Sequence, residues 1–456
     1  MSHVPDTHRT PTHRASAERT LAHRQPSHRP PSRRSVLAGF GALGALGATG
    51  LAGCSTPAPS TAAADGATEI GTINFYNNVL GEESQKAAWQ AAVDGWQKKS
   101  GRTVKPVVYP YDQASTQLAL AARSGDFAGV GQAGPWQVLV PTGILADVSD
   151  LAAGMSLPTK TIDSLRVGGK LHYLPVNASG IGLVCDGRIA DEVGLRSGQS
   201  VEDFAAALER IRKQDGKLVP YAAVTKNPDL KDAVHWMWSW GSPVVTDDLK
   251  VTIGDAESVA AITWYKQLQE AGLTKSGVAR GDARILFGRG QAVVYDDAPL
   301  ARKFVTTNGG TPALAAAIRP LARPQAKGAP SYNRFWGSGL FCSAGKGEKT
   351  SKDFIAYVAG DLSAATALYQ QSALAPADAK VAARVPGLAE DAFQTGFRTE
   401  IADHARAAAW DRLASYAQID TAIGDGVAAV LAGQSSVQGG LNELRKKVED
   451  ILARNP

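Results

Sequence analysis

The chain has 456 residues, 48 Lys and Arg against 43 Asp and Glu, a formal charge of +5 and 44% apolar residues. A basic balance suits a protein that meets nucleic acid or an acidic membrane surface, but its distribution removes that reading. Residues 1–53 hold seven arginines, no lysine and two acids, Asp6 and Glu18, which is the whole of the +5; residues 54–456 hold 41 basic and 41 acidic groups. This net-neutral body is long enough for two lobes at roughly 100–200 residues per domain.

Residues 1–32 are rich in Arg, His, Pro, Ser and Thr and have almost no large apolar side chains to pack. Arg33-Arg34 precedes an apolar run, Val36 to Leu51, that is too short and glycine-diluted for a spanning helix. Leu51-Ala52-Gly53-Cys54 resembles a bacterial lipobox, and a Ser/Thr/Pro/Ala tether follows it. The order predicts a signal peptide over residues 1–53, lipidation of Cys54 and a flexible tether over 54–70. The product is an exported protein anchored to the outer face of the bacterial cytoplasmic membrane. Twin-arginine export fits Arg33-Arg34, with Val36 standing where a Phe is usual. Gly39-Phe40-Gly41-Ala42-Leu43-Gly44, with Asp65 about 20 residues on, matches a dinucleotide fingerprint. That motif works only between a strand and a helix, and here it sits in an export signal, so it is rejected.

Of the three cysteines, Cys54 is committed to lipid. Cys185 and Cys342 remain in the body, where an exported pair permits one disulfide, although the sequence alone leans toward two buried free thiols in β-strands.

In chain order, Thr72–Asn77 reads as a strand after Gly71, and Glu82–Lys99 as a helix with Trp89, Val93 and Trp96 on one face. Gly101 stops it and Thr103–Tyr109 is a second strand, a βαβ unit that predicts parallel pairing and an α/β fold. Further strands are expected at Leu171–Leu174, Gly180–Cys185 and Ala292–Tyr295. Helices are expected at Val201–Lys213, capped by Ser200, at Glu257–Glu270 and at Lys352–Val358. Residues 400–456 read as helical, punctuated near Gly424 and Gly433.

These segments in this order resemble the extracellular solute-binding proteins of ABC importers, in the family of maltose-binding protein and many sugar-binding lipoproteins. The similarity runs from about Ile73 to the C-terminus. It rests on the opening strand with Tyr76, on Gly134-Pro135-Trp136 leading to Gly143–Val148, and on the hinge-like run Leu171–Cys185. Phe287–Asp297, Gly339–Cys342 with the helix after Glu348, Tyr369–Pro376 and Val430–Ser436 complete it. Cys185-Asp186 and Ala373 depart from the family's usual Tyr-Asn and Gly. The resemblance implies a two-lobed periplasmic-binding-protein-like fold closing by a hinge. The lobes would be residues 71–183 with 343–397 and residues 184–342 with 398–456. It implies capture of a sugar or oligosaccharide for a membrane permease; alternatives are a sensor presenting its ligand to a receptor, or a binder of polyols or glycerol phosphodiesters. A monomer without cofactor or metal, and with no nucleic-acid partner, is expected. The resemblance also places Cys185 and Cys342 on neighbouring hinge strands, which leaves a disulfide between them open.

A sugar site needs flat apolar faces for pyranose C–H groups and planar polar groups for hydroxyls. Trp136, Trp240 and Trp336, beside Gly/Pro signals at family cleft positions, are the expected stacking platforms, with Trp238 in the dense group around Trp240. Trp89, Trp96 and Trp264 lie on amphipathic stripes and are expected in the core. Asp296 and Asp297, on opposite sides of a strand end, are acidic candidates. Tyr76, Tyr111, Asp112, Asn177 and Ser179 are further polar contacts. No G-x-S-x-G, H-E-x-x-H or P-loop pattern occurs, and His172, His235 and His404 lack metal-ligand spacing. The reading is a binding protein and no enzyme.

Overall fold

A computed structural model gives the protein over residues 68–132 and 136–454, without the side chains of residues 111, 112, 115 and 159–161. The signal segment, Cys54, the tether up to residue 67 and Gly134-Pro135 lie outside the described residues. The fold is mixed α/β. Its central sheet runs in the order Thr103–Val108, Thr72–Asn77, Gly129–Gly131, Asn333–Cys342, Leu174–Asp186, Ala292–Asp297, Val219–Ala222. The outer strands pair in parallel at both ends, Thr72 opposite Thr103 and Val219 opposite Ala292. The middle pair is antiparallel, Arg334 opposite Ile181.

The first helix, Lys86–Ser100, buries Ala88, Trp89, Ala92, Val93 and Trp96, a single stripe at helical spacing. Gly101 closes it at φ 69°, with its N–H on the Gln97 carbonyl. It starts at Lys86, four residues later than the sequence pattern suggests. Val79–Gly81 is a 3-10 turn and the Glu82 carboxylate is held by Asn78 and Gln85, so the chain turns before it winds. Helix Val201–Gln214 is capped by Ser200, whose side chain accepts the Asp203 N–H.

Two expectations change. Residues 174–186 form one 13-residue strand in place of two short ones, because Pro175 to Gly180 pair with Phe335–Gly339 through a run with little β signature of its own. Lys170–Leu171 instead pairs with Arg166–Val167. At the other end, residues 401–415 are not α-helical. Ala402–His404 and Ala409–Arg412 are single 3-10 turns, and Ala405–Arg406 pairs in parallel with Asn333–Arg334. The α-helices Tyr416–Leu431 and Val437–Arg454 follow.

Two main hydrophobic cores flank the long strands, giving two lobes. One packs Phe75, Trp89, Trp96, Val130, Phe341 and Phe354; the other packs Phe204, Tyr221, Trp236, Ile262, Trp410 and Ile423. The chain crosses three times. Its last return falls between Leu388, packed with Ala365 and Val381 beside the first lobe, and Phe393 and Phe397, packed with Val184, Phe287 and Tyr295 of the second. Asp391 caps the helix Ala392–Glu400, whose buried Phe393 and Phe397 pack with those second-lobe residues.

Cys185 and Cys342 are free and buried, which corrects the disulfide left open above. They do lie on adjacent antiparallel strands, but at opposite ends. Cys185 faces Val294 and Arg319 in the second lobe, whereas Cys342 faces Val130 in the first. About 13 residues of register separate them, roughly 40 Å at 3.3 Å per residue, against the 7 Å limit for a bridge. No helix among the described residues is long and apolar enough to cross a membrane.

Candidate functional site

The two crossing strands present one face to each side of the hinge. On Asn333–Cys342 the side chains of Arg334, Trp336 and Ser338 share a face, opposite Ile181, Ser179 and Asn177 of the partner strand. The other face is closed: a Cβ on Gly180 or Gly182 would meet Ile401. The Arg334 face lies between the lobes. Gln132, at the carboxyl end of a first-lobe strand, donates to Ser338 Oγ at 3.1 Å, and Gln137 of the first lobe donates to the Asp411 carbonyl at 2.7 Å. The carboxyl ends of parallel strands from both lobes converge here, the usual place for a ligand in open α/β sheets.

An ion web forms the second-lobe wall of this cleft. Arg334 Nη2 donates to Asp411 Oδ1 at 2.6 Å and to both Asp420 oxygens at 2.8 and 2.9 Å. Arg334 Nη1 lies 3.8 Å from Asp232, which also pairs with Arg280. Arg280 donates to the Asp296 carbonyl at 3.2 Å, Lys231 Nζ lies 3.5 Å from Asp420, and Trp410 Nε1 donates to Asp420 at 2.9 Å. Burial would push the Arg334 guanidinium down, yet Asp411, Asp420 and Asp232 outweigh it and the net shift is upward. Burial lifts the Asp411 carboxyl; Arg334 opposes that lift and the Asp420 charge adds to it. Chemically, the web offers planar charged donors and acceptors held rigidly by one another, with the half-buried indole of Trp336 and the hydroxyls of Ser338 and Ser179 beside it. That set suits hydroxyl groups on a ring with an apolar face.

The fold brings Asn177, Ser179 and Trp336 together on this face. Asn177 Oδ1 accepts the Ser338 N–H at 3.2 Å, and its Nδ2 is buried without a partner. The other expected residues have different surroundings. Asp296 is held by Arg323 at 2.6 Å and by Tyr221, and Asp297 takes a bidentate pair from Arg284 at 2.8 and 2.9 Å, so both carboxylates are engaged by arginines. Trp136 is buried and stacks on Tyr173 at 5.6 Å. Trp240 packs on Trp264 at 5.0 Å against the second core. Trp238 is buried, stacked on His235 at 6.1 Å. Tyr76 donates to the Asp126 carbonyl at 2.8 Å and packs on Phe127. Tyr111 and Asp112 open the helix Tyr111–Arg123. Trp89 and Trp96 are in the first core, as expected.

Sequence reasoning missed Arg334, Asp411, Asp420, Trp410, Asp232, Arg280 and Gln132. One local signal existed: Tyr332, Arg334, Trp336 and Ser338 alternate with Asn333, Phe335, Gly337 and Gly339, a period of two that marks a polar-aromatic strand face. The carboxylates come from distant segments and carry none.

No curated protein sequence matches the chain. Among solved structures, the GacH receptor of Streptomyces glaucescens GLA.O, determined unliganded and with acarbose, superposes with TM-score 0.73 at 20% identity, covering 85% of this chain and 99% of that one. Maltose-bound MalE3 of T. maritima matches with TM-score 0.71 at 16% identity, covering 83% and 99%. An ABC transporter solute-binding protein of Agrobacterium vitis S4 with bound D-mannitol matches with TM-score 0.64 at 17%, covering 84% and 98%. These likenesses define the class: a two-lobed α/β binding-protein fold. The sequence profile of the bacterial extracellular solute-binding proteins matches residues 91–395, and the chain belongs to that family of exported binding proteins.

Proposed function

We propose that the protein captures a polyhydroxylated solute, a sugar, oligosaccharide or polyol, in the cleft under Trp336 and hands it to the membrane subunits of an ABC importer. The observation that carries this reading is the web of Arg334, Asp420, Asp411 and Asp232 beside an indole on a face between two lobes. Charged planar groups that are already paired exchange hydrogen bonds with sugar hydroxyls without stranding a charge. The structures named above bind acarbose, maltose and D-mannitol, which supports the same ligand class here. Lobe closure supplies selectivity, binding is reversible, and the closed form docks on the permease. Cys54 carries the lipid that keeps the monomer at the membrane surface.

A thermal-shift screen of the full chain against saccharides and polyols tests this. A ligand present at 100 times its Kd adds about 2.7 kcal/mol, a clear rise in midpoint. In Trp336→Ala the rise with the same ligand should shrink, with affinity about tenfold or more weaker, while the unliganded midpoint moves little because the ring is only half-buried. Undiminished affinity in that variant would remove the stacking role.

A further inference from the structure

Arg406 sits in the short strand Ala405–Arg406, beside Arg334 in parallel register, so both side chains leave the sheet on the cleft face. The fold treats the two arginines differently. Arg334 is neutralised by Asp411 and Asp420. The guanidinium of Arg406 makes no hydrogen bond or ion pair with a described residue, and its Nε is buried without a partner. Its charge is stabilised by rings instead: the guanidinium carbon lies 4.1 Å from the centroid of Trp238 and 4.4 Å from that of Tyr332. Trp238 is backed in turn by the parallel imidazole of His235, tilted by only 5°. Asp247, the acid that favours the Arg406 charge, is exposed and makes no ion pair with it. Burial accordingly lowers this guanidinium, whereas Arg280, Arg284, Arg323 and Arg334 are all raised. The first-lobe helix Thr159–Ser164 lies against this strand, which places Arg406 where the lobes meet.

Aromatic stacking satisfies the faces of a guanidinium and fixes its plane; it leaves the in-plane N–H donors unserved. Those donors match a carboxylate or phosphate oxygen pair, and the cost of a partly desolvated cation is removed when such an anion arrives. Next door, the Arg334 web and Trp336 recognise hydroxyls. We propose that the cleft takes an acidic polyhydroxylated solute, whose single anionic group seats on Arg406 while its hydroxyls meet the Arg334 web. This deepens the solute-capture reading and rests on it. A uronate-containing saccharide and a glycerol phosphodiester share this chemistry.

Isothermal titration of the full chain separates the sources, with digalacturonate and trigalacturonate as one arm, glycerophosphocholine as the second, and maltose and mannitol as neutral controls. One anionic arm binds at least 30-fold more tightly than the neutral controls, and its affinity falls as salt rises. Arg406→Gln removes that preference, and Arg406→Lys, which keeps the charge without the fork, retains part of it; both are compared at matched thermal midpoints. If a neutral control binds and Arg406→Gln leaves it unchanged while neither anion binds, the proposal is overturned and the capture reading stands. If no compound in this set or the wider saccharide panel binds, both fall.

Discussion

His235 illustrates how burial decides the behaviour of a single side chain. Its ring is fully enclosed, neither nitrogen makes a hydrogen bond with a described residue, and it stacks on Trp238. Burial first, then the charges of Arg323, Arg334 and Arg280, push its pKa well below the ordinary value; Asp232 at 4.0 Å pulls the other way and is outweighed, since it is already paired with Arg280. The folded imidazole is therefore neutral at pH values where the unfolded one, near pKa 6.5, takes a proton. Below that value the unfolded state binds more protons, so stability declines as the pH falls, by up to about 1.4 kcal/mol per pH unit from this group. His235→Phe, which keeps the stacking ring, should show a flatter decline of the urea midpoint between pH 6.5 and 5. An unchanged slope would mean that the imidazole titrates in the native state. The two thiols follow the same physics: burial pushes Cys185 and Cys342 up to about 12, which leaves both as inert core groups without nucleophilic character.

Among the elements, the strand Gly129–Gly131 connects the first lobe's parallel strands to the hinge. It pairs in parallel with Thr72–Asn77 and antiparallel with the end of Asn333–Cys342. Gly129 has φ 134°, and a Cβ there would sit 2.4 Å from the Asn74 carbonyl oxygen, a backbone atom that cannot move without breaking the ladder. Gly101, at φ 69°, closes the first helix with nothing within 4 Å of a Cβ. Gly101→Ala should cost about 1 kcal/mol, the left-handed backbone alone. Gly129→Ala adds a steric clash and should cost more than 2 kcal/mol. Urea midpoints at equal m-value measure both; equal losses would refute the register assigned to these strands.

For the whole molecule, the long paired strands Leu174–Asp186 and Asn333–Cys342 run between two hydrophobic cores, and the ion web lies on one face of that pair. The groups of the web come from one lobe and from the long strand Asn333–Cys342, while Gln132 and Gln137 reach in from the other lobe. A solute touching both sides has different contact with open and closed forms, which is what shifts a hinge equilibrium. The delivery to a permease that we propose is served by a protein held at the membrane surface. In our reading a lipid on Cys54 does this, as the lipobox-like Leu51-Ala52-Gly53-Cys54 suggests. Cys54→Ser should move the protein from the membrane fraction to the medium, and continued retention would refute the anchor.

What local sequence governs was readable from it. The stripe of Trp89, Val93 and Trp96, the Ser200 cap and the strand Thr72–Asn77 after Gly71 depend on neighbours within a turn or two, and each formed where its pattern lay. The order of these segments carried the two-lobed fold. The cysteines show the limit, because adjacency of strands was legible while register was not, and register placed the thiols at opposite ends. The site shows it more fully. Ser179 and Trp336 were legible through the crossing strands, whereas Asp232, Arg280, Asp411 and Asp420 lie on separate segments with no motif among them. A buried carboxylate is stable only opposite its cation, and only the tertiary structure decides which arginine that is. By the same rule it decides that Arg406, over two rings, faces the cleft with no ion pair among the described residues.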